Sequence, residues 1–255
     1  DRLMQERNRW LSRFKEEALF DSERIADAIK EDVHAKRMAL PRKAQHLSIR
    51  LHRKYPRTTE IQTSIKISTQ ERAHRLVTNY MARIKKLAIH NCAVIVLNNE
   101  TKKVEAYIGS QNFNDSEFQG QVDGANSIRS PGSTLKPFIF GLAFDKGILT
   151  PKMVIEDIPT NFDGYAPTNF DEKFNGLVTV EKSLAFSLNI PAVKTIEQLT
   201  PKAFTNVLVK SGFKQIKRDY NHLGLSVALG GCGVTLEELT HMYSIFSQKG
   251  MLYNY

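Results

Sequence analysis

The chain of 255 residues has few of the features that mark a metal site, a disulfide framework or a membrane span. Its only two cysteines, Cys92 and Cys232, lie 140 positions apart and lack metal-ligand spacing. No stretch approaches the roughly 18 apolar residues that a membrane span needs, and no signal peptide opens the chain. We therefore expect no metal or other cofactor, and we expect any membrane anchor to lie outside this sequence. The cysteines could pair in an oxidising compartment or stay reduced beside apolar residues, and both states are left open.

The positive charge is concentrated in one segment that has no acidic residues. The net charge is +9, and residues 36–57 contain eight Lys or Arg and no Asp or Glu. Such a run is typical of a solvated connector, although it could also contact nucleic acid, anionic lipid or an acidic polymer. Tyr55 is the one aromatic residue in the run, which argues against a groove that stacks single-stranded bases. We interpret the segment as a basic linker.

The hydrophobic pattern predicts an α+β fold, with a hairpin followed by many helices. Helical periodicity covers residues 1–35, where Asp21 and Ser22 can cap a second helix, and it recurs from Thr69 to Lys86. Ile61 to Ile67 alternates like a strand. The other predicted elements are a hairpin of residues 93–97 and 104–108, a helix after Gly132, a loop over residues 157–176, helices at residues 180–187, 192–199 and 202–210, and a helix from the capping box of Thr235 and Glu238 to Gly250.

Three Ser-x-x-Lys pairs occur, and their surroundings distinguish them: Ser12 with Lys15, Ser133 with Lys136, and Ser211 with Lys214. On a helix this spacing brings a lysine amine near a serine hydroxyl, and a neutral amine can then take the hydroxyl proton. Ser12 lies in a charged, amphipathic stretch, and Ser211 lies where a helix stops. Ser133 follows a Pro-Gly turn and begins an apolar run. We therefore predict Ser133 as nucleophile and Lys136 as its base.

Two Ser-x-Asn elements and one Lys-Ser-Gly triplet could accompany such a pair: Ser110 with Asn112, Ser187 with Asn189, and Lys210-Ser211-Gly212. Ser110 ends a predicted strand and is interpreted as a turn residue. Ser187 and Asn189 lie between two predicted helices, where a hydroxyl can relay protons and an amide can orient a peptide bond. The triplet follows apolar residues with helical spacing, so we interpret it as a helix C-terminus rather than as a strand at a cleft.

Longer segments around these pairs carry a more specific signal: SPGSTLKPFIFGLAFDKGILTP, GYAPTNFDEKFNGLVTVEKSLAFSLNIPAV and ALGGCGVTLEEL, in that order. With them the chain resembles the transpeptidase domain of class A penicillin-binding proteins, most of all subtype 1C, over residues 60–255. That family shares its Ser-x-x-Lys and Ser-x-Asn elements with class A β-lactamases. The resemblance implies the penicillin-binding/serine β-lactamase-like fold. It also divides the chain into the helical tail of a glycosyltransferase domain (1–40), the basic linker (41–60) and an incomplete transpeptidase domain (61–255).

The resemblance implies a peptidoglycan D,D-transpeptidase and a role for each candidate residue. Ser133 attacks the D-Ala-D-Ala carbonyl of a stem peptide, and Lys136 takes its proton. Ser187 and Asn189 assist proton transfer and substrate alignment, while Asn169 binds substrate or only shapes its loop. A cross-linking amine resolves the acyl-ester, and β-lactams mimic the donor. The implied partners are peptidoglycan stem peptides, β-lactams and other proteins of cell-wall synthesis, at the periplasmic face of the inner membrane.

Two departures from the family pattern limit what these residues can do alone. The family's Lys-Thr-Gly strand is expected after Gly250 and has no counterpart before Tyr255, and the acidic glycosyltransferase motif is missing. We therefore expect an incomplete transpeptidase site and no glycan polymerisation. The alternatives are a serine β-lactamase, a non-catalytic β-lactam sensor or cell-wall scaffold, and a nucleic-acid-binding module. The long linker and the glycosyltransferase-like tail argue against a β-lactamase.

Overall fold

The computed structural model describes residues 2–33 and 42–253. The chain divides into two compact units, residues 1–42 and 43–255. In the first unit, helices α1 (Arg2–Glu16) and α2 (Ser22–Lys30) pack against each other and bury Ile25. The predicted cap is confirmed, because the Asp21 carboxylate accepts from the Glu23 N–H at 3.1 Å. The assignment of residues 1–40 to a glycosyltransferase domain stays a prediction.

The second unit begins inside the segment that the sequence predicts to be a linker. Helix α3 (Gln45–Lys54) occupies the middle of this segment, and it buries the His46 side chain, whose Nε2 lies 2.9 Å from the Gly120 carbonyl oxygen. Arg50 pairs with Glu237 and also donates to the Tyr107 hydroxyl at 3.1 Å. The prediction of an irregular connector is therefore wrong for residues 45–54, since one basic side chain is used in packing. Residues 36–41 of the basic run lie outside the described residues.

An antiparallel hairpin packs on the next helix, α4 (Ile67–Ile84). Strands β1 (Val94–Asn98) and β2 (Lys103–Ile108) form the hairpin, as predicted, and Val77 and Met81 of α4 pack on Ile108. The predicted strand at residues 61–67 is wrong. That segment contacts β2 through isolated hydrogen bonds, such as Lys66 N–H to Glu105 O at 3.0 Å, and α4 already begins at Ile67.

The remaining elements surround a large apolar core: α5 (Lys136–Asp145), β3 (Val154–Asp157), β4 (Gly176–Thr179), α6 (Val180–Ala185), α7 (Asn189–Leu199), α8 (Pro201–Lys210), α9 (Lys214–Asp219) and α10 (Leu236–Tyr243). Helix α5 is apolar on all sides except at its start, so it runs through the core and contacts α6 and α7. Strands β3 and β4 pair antiparallel and bound the predicted loop. This two-stranded sheet and α9 were not predicted.

The α+β prediction is confirmed, with one boundary corrected. The Thr235–Glu238 capping box is present, but α10 ends at Tyr243 rather than at Gly250, and a 3-10 turn (Ser244–Ser247) follows it. Both cysteine thiols are free, and burial raises the pKa of each, to about 11 for Cys232. Across residues 2–33 and 42–253, no helix is long and apolar enough to cross a membrane.

Candidate active site

Ser133 projects from a tight turn at the start of the buried helix α5. The turn is a 3-10 helix (Gly132–Leu135), and Gly132 has a φ of +54°, which glycine adopts without strain. The Ser133 side chain is exposed, whereas Leu135 one turn later is fully buried. The Tyr243 hydroxyl donates to the Thr134 carbonyl at 2.7 Å and ties the turn to α10. The predicted nucleophile therefore combines an accessible hydroxyl with a fixed backbone.

A second glycine lies directly against this turn. Gly230 has a φ of +85°, and a Cβ on it would lie 2.3 Å from the Gly132 nitrogen. The Ser130 hydroxyl donates to the Gly230 carbonyl at 2.6 Å and fixes the same contact. The two backbones can approach this closely only because neither residue carries a side chain. The ALGGCG segment of the sequence thus shapes the turn that carries Ser133.

The Lys136 ammonium group lies in the core, three residues after Ser133, with the side chain 1% exposed. Its Nζ donates to Ser187 O at 2.5 Å and to Asn189 Oδ1 at 2.7 Å, and it lies 3.2 Å from Ser187 Oγ. The structure thus brings together three of the four predicted catalytic residues around one amine. Burial penalises the charged form and lowers the pKa of Lys136 from 10.5 to about 8.

The connection between α6 and α7 presents Ser187 and Asn189 to the amine. Ser187 has a φ of +55°, so its backbone turns sharply and its carbonyl points at the lysine. Asn189 begins α7, and its Nδ2 donates to Thr168 O at 2.7 Å, which leaves Oδ1 facing Lys136. An amine held by two acceptors beside a hydroxyl can exchange protons with that hydroxyl once it is neutral.

Asn169 lies behind Asn189 rather than on an open surface. It is 4% exposed, and its Oδ1 accepts from the Asn189 N–H at 2.7 Å. Its Nδ2 donates to both oxygens of Asp157 at 2.9 Å and to Lys173 O at 2.8 Å. All its side-chain polar atoms are therefore engaged within the chain, which favours the loop-shaping role over substrate contact. Asp157 was not predicted, because an acid at a strand end gives no sign of burial.

The other candidate motifs lie apart from this cluster and have ordinary structural partners. Ser12 and Lys15 are exposed on α1. Ser211 Oγ donates to Val207 O at 2.9 Å, and Gly212 ends α8 with a φ of +94°, so the helix C-terminus predicted for the Lys-Ser-Gly triplet is confirmed. Ser110 Oγ donates to Gly120 O at 2.6 Å in a buried turn. No group of His, Cys, Asp or Glu in the described part of the chain could hold a metal ion.

Comparisons with known proteins agree with this cluster. The family described as "Penicillin binding protein transpeptidase domain" matches residues 92–254. Penicillin-binding protein 1C of Escherichia coli is 32% identical over 96% of this chain, and penicillin-binding protein 1F of Bacillus subtilis is 29% identical over 62% of it. The chain spans about a third of the length of the first protein and about a fifth of the second, at 31% and 21%.

Solved structures show the same fold. Penicillin-binding protein 1A of Haemophilus influenzae matches 98% of this chain and 53% of its own, with a TM-score of 0.71 and 18% identity. PonA1 of Mycobacterium tuberculosis, in complex with penicillin V, matches 82% of this chain and 58% of its own, with a TM-score of 0.63 and 17% identity. The predicted fold and the resemblance to the class A proteins and 1C are both confirmed. The chain belongs to the penicillin-binding protein transpeptidase family.

Proposed function

We propose that the protein is a peptidoglycan D,D-transpeptidase with Ser133 as nucleophile and Lys136 as general base. The observation that supports this most is the buried Lys136 amine, held by Ser187 and Asn189 beside the serine turn. A serine hydroxyl attacks a carbonyl only when a base takes its proton, and burial is one way to make a lysine neutral near pH 8.

In the proposed acylation, the Ser133 oxygen bonds to the D-Ala-D-Ala carbonyl carbon and its proton passes to Lys136. The Ser133 N–H is one donor to the oxyanion, an interaction often worth about 3 kcal/mol. The C–N bond then breaks, and the proton reaches the leaving D-Ala amine through the Ser187 hydroxyl, which restores neutral Lys136. An amine of a neighbouring stem peptide displaces Ser133 from the ester and completes the cross-link. A β-lactam follows the first half of this path and acylates Ser133.

We place this reaction at the periplasmic face of the inner membrane, where peptidoglycan is assembled, with other cell-wall proteins as partners. Whether residues 1–255 suffice for catalysis is part of the proposal to be tested, so the experiments use the natural protein at its full length. The alternatives share the acylation step or only the fold, and they differ in what happens after it.

Labelling with a fluorescent penicillin tests the proposed nucleophile. The wild-type protein is expected to label, and the Ser133→Ala variant is expected to lose the label. Ser211→Ala, which removes the serine of another Ser-x-x-Lys pair, is the matched control and is expected to label normally. Labelling that survives Ser133→Ala, or a wild-type protein that never labels, would overturn the assignment.

The fate of the acyl group then separates the alternatives. A transpeptidase holds the penicillin label for many minutes and forms cross-linked dimers from stem peptides that carry an acceptor amine. Rapid release of hydrolysed penicillin would favour a β-lactamase instead. Stable labelling without any cross-linked product from a full-length protein and a competent acceptor would favour the non-catalytic sensor.

A further inference from the structure

A buried carboxylate lies behind the candidate site and has no cationic partner among the described residues. Asp157, the last residue of β3, is 0% exposed. Its two oxygens accept from Asn169 Nδ2 at 2.9 Å, and Oδ2 also accepts from Asn175 N at 2.9 Å and from Asn175 Nδ2 at 2.7 Å. A buried carboxylate held only by amide donors is costly unless its hydrogen bonds are well made. Its presence therefore calls for a role that a neutral side chain could not fill.

The carboxylate fixes which way the Asn169 amide points. The carboxylate accepts hydrogen bonds and cannot donate them when ionised, so the NH₂ group of Asn169 must face Asp157. Asn169 Oδ1 must then face the opposite way, where it accepts from the backbone N–H of Asn189 at 2.7 Å. That N–H is one of the first in α7 and would otherwise lack an intrahelical acceptor. Asp157 thus determines the acceptor that caps the start of α7.

The start of α7 in turn sets the position of the group that holds Lys136. Asn189 is anchored on both sides, by Asn169 at its backbone N–H and by Thr168 O at its Nδ2. With these atoms fixed, Asn189 Oδ1 lies 2.7 Å from Lys136 Nζ. The hydrogen bonds therefore form a continuous series from the β3 end to the amine, through Asp157, Asn169 and Asn189.

We propose that Asp157 and Asn169 are positioning residues that hold Asn189 against the Lys136 amine, and that Asn169 does not bind substrate. The proposal rests on the proposed function, since it assigns these residues a part in acylation by Ser133. A displacement of reacting groups by about 1 Å can cost a hundredfold in rate. A loss of this alignment is therefore expected to reduce acylation even in a folded protein.

Single and double exchanges of the two residues test the proposal in the full-length protein. Asp157→Asn places two amides face to face, and Asn169→Asp places two carboxylates face to face. The double variant restores one donor facing one acceptor and a single buried charge. Asp163→Asn is the matched control, because Asp163 is an exposed acid of the same loop whose φ of +48° asparagine tolerates.

Two readouts separate positioning from mere stability: the acylation rate with fluorescent penicillin from pH 7 to 9, and thermal unfolding. Each single variant is expected to acylate about ten to a hundred times more slowly. The midpoint of its pH profile is expected to move down, because a misplaced Asn189 oxygen no longer stabilises the ammonium form. The double variant is expected to recover most of the rate, and Asp163→Asn to match the wild type. A lower folded fraction alone would reduce the amplitude of labelling and leave the midpoint in place.

Single variants with the wild-type rate and midpoint would overturn the proposal, as would a double variant no better than the singles. A third measurement keeps it separate from the proposed function. The titration of Lys136, followed by NMR of protein labelled with ¹³C at the lysine ε-carbons and assigned with Lys136→Arg, needs no acylation. If the wild type never labels with penicillin while Asp157→Asn still moves this titration, the proposed function fails and the positioning role stands. An unmoved titration refutes the positioning role.

Discussion

Acylation of Ser133 is predicted to accelerate about tenfold between pH 7 and pH 9, because the base must be neutral to act. Burial lowers the pKa of Lys136 from 10.5 to about 8. A group with a pKa near 8 is roughly 9% neutral at pH 7 and roughly 91% neutral at pH 9. The perturbation is the pH itself, and the expected curve is a single ionisation with its midpoint near 8.

The same burial explains why a lysine can serve at all near neutral pH. At pH 7.5, an amine with the ordinary pKa would be neutral in about 0.1% of molecules, whereas one with a pKa near 8 is neutral in about 24%. The core around Lys136 thus increases the reactive fraction by more than about a hundredfold. The cost falls on stability: the gap between 10.5 and about 8 corresponds to roughly 3 kcal/mol against the folded state. This penalty is complete below pH 8 and disappears as the pH rises to 10.5.

The assay is the second-order rate constant of labelling by a fluorescent penicillin from pH 6.5 to 9.5 at constant ionic strength. Lys136→Arg is expected to lose acylation throughout this range, since a guanidinium group does not release its proton. Lys214→Arg is the matched control, because Lys214 is the exposed lysine of another Ser-x-x-Lys pair. A flat profile from pH 7 to 9, a midpoint near 10.5, or an active Lys136→Arg variant would refute the reasoning.

Two further substitutions probe the surroundings of the amine and of the serine turn. Asn189→Asp places a carboxylate beside Lys136 Nζ and raises its pKa by about 1 to 3 units, so the acylation midpoint should move upward and the rate at pH 7.5 should fall at least about tenfold. Gly230→Ala directs a Cβ at the Gly132 nitrogen and should cost about 1–3 kcal/mol in unfolding free energy and slow acylation, whereas Gly141→Ala in α5, with open space around it, should not destabilise. A displaced midpoint in the wrong direction, or equal stability of the two alanine variants, would contradict these expectations.

Most of the helices and the first hairpin could be predicted because their signals are local. The apolar period of α4, the Thr235–Glu238 capping box and the Gly212 helix end each depend on a few neighbouring residues. The errors arose where contacts from elsewhere decided the structure. Helix α3 lies in a charged segment with two prolines nearby, and its packing depends on Arg50 reaching Glu237, a residue distant in sequence.

The candidate site divides in the same way. Ser133, Lys136, Ser187 and Asn189 could be selected from motifs, and the structure gathers the last three around one amine. Asp157 could not be selected, because its burial depends on amides 12 and 18 residues away in a loop without periodicity. The orientation of Asn169 likewise follows from partners on both sides and from nothing in its own neighbourhood.

The three Ser-x-x-Lys pairs show what distinguishes a motif from a site. Lys15 and Lys214 are exposed, and neither lies in an apolar setting that would favour a neutral amine, whereas Lys136 is 1% exposed. The spacing is identical in all three, so spacing alone provides no base. The difference lies in the apolar residues that follow the motif, which draw the start of α5 into the core and bring the amine with it. Reactivity near neutral pH and the stability penalty of a buried charge therefore have one cause, the sequence of α5 itself.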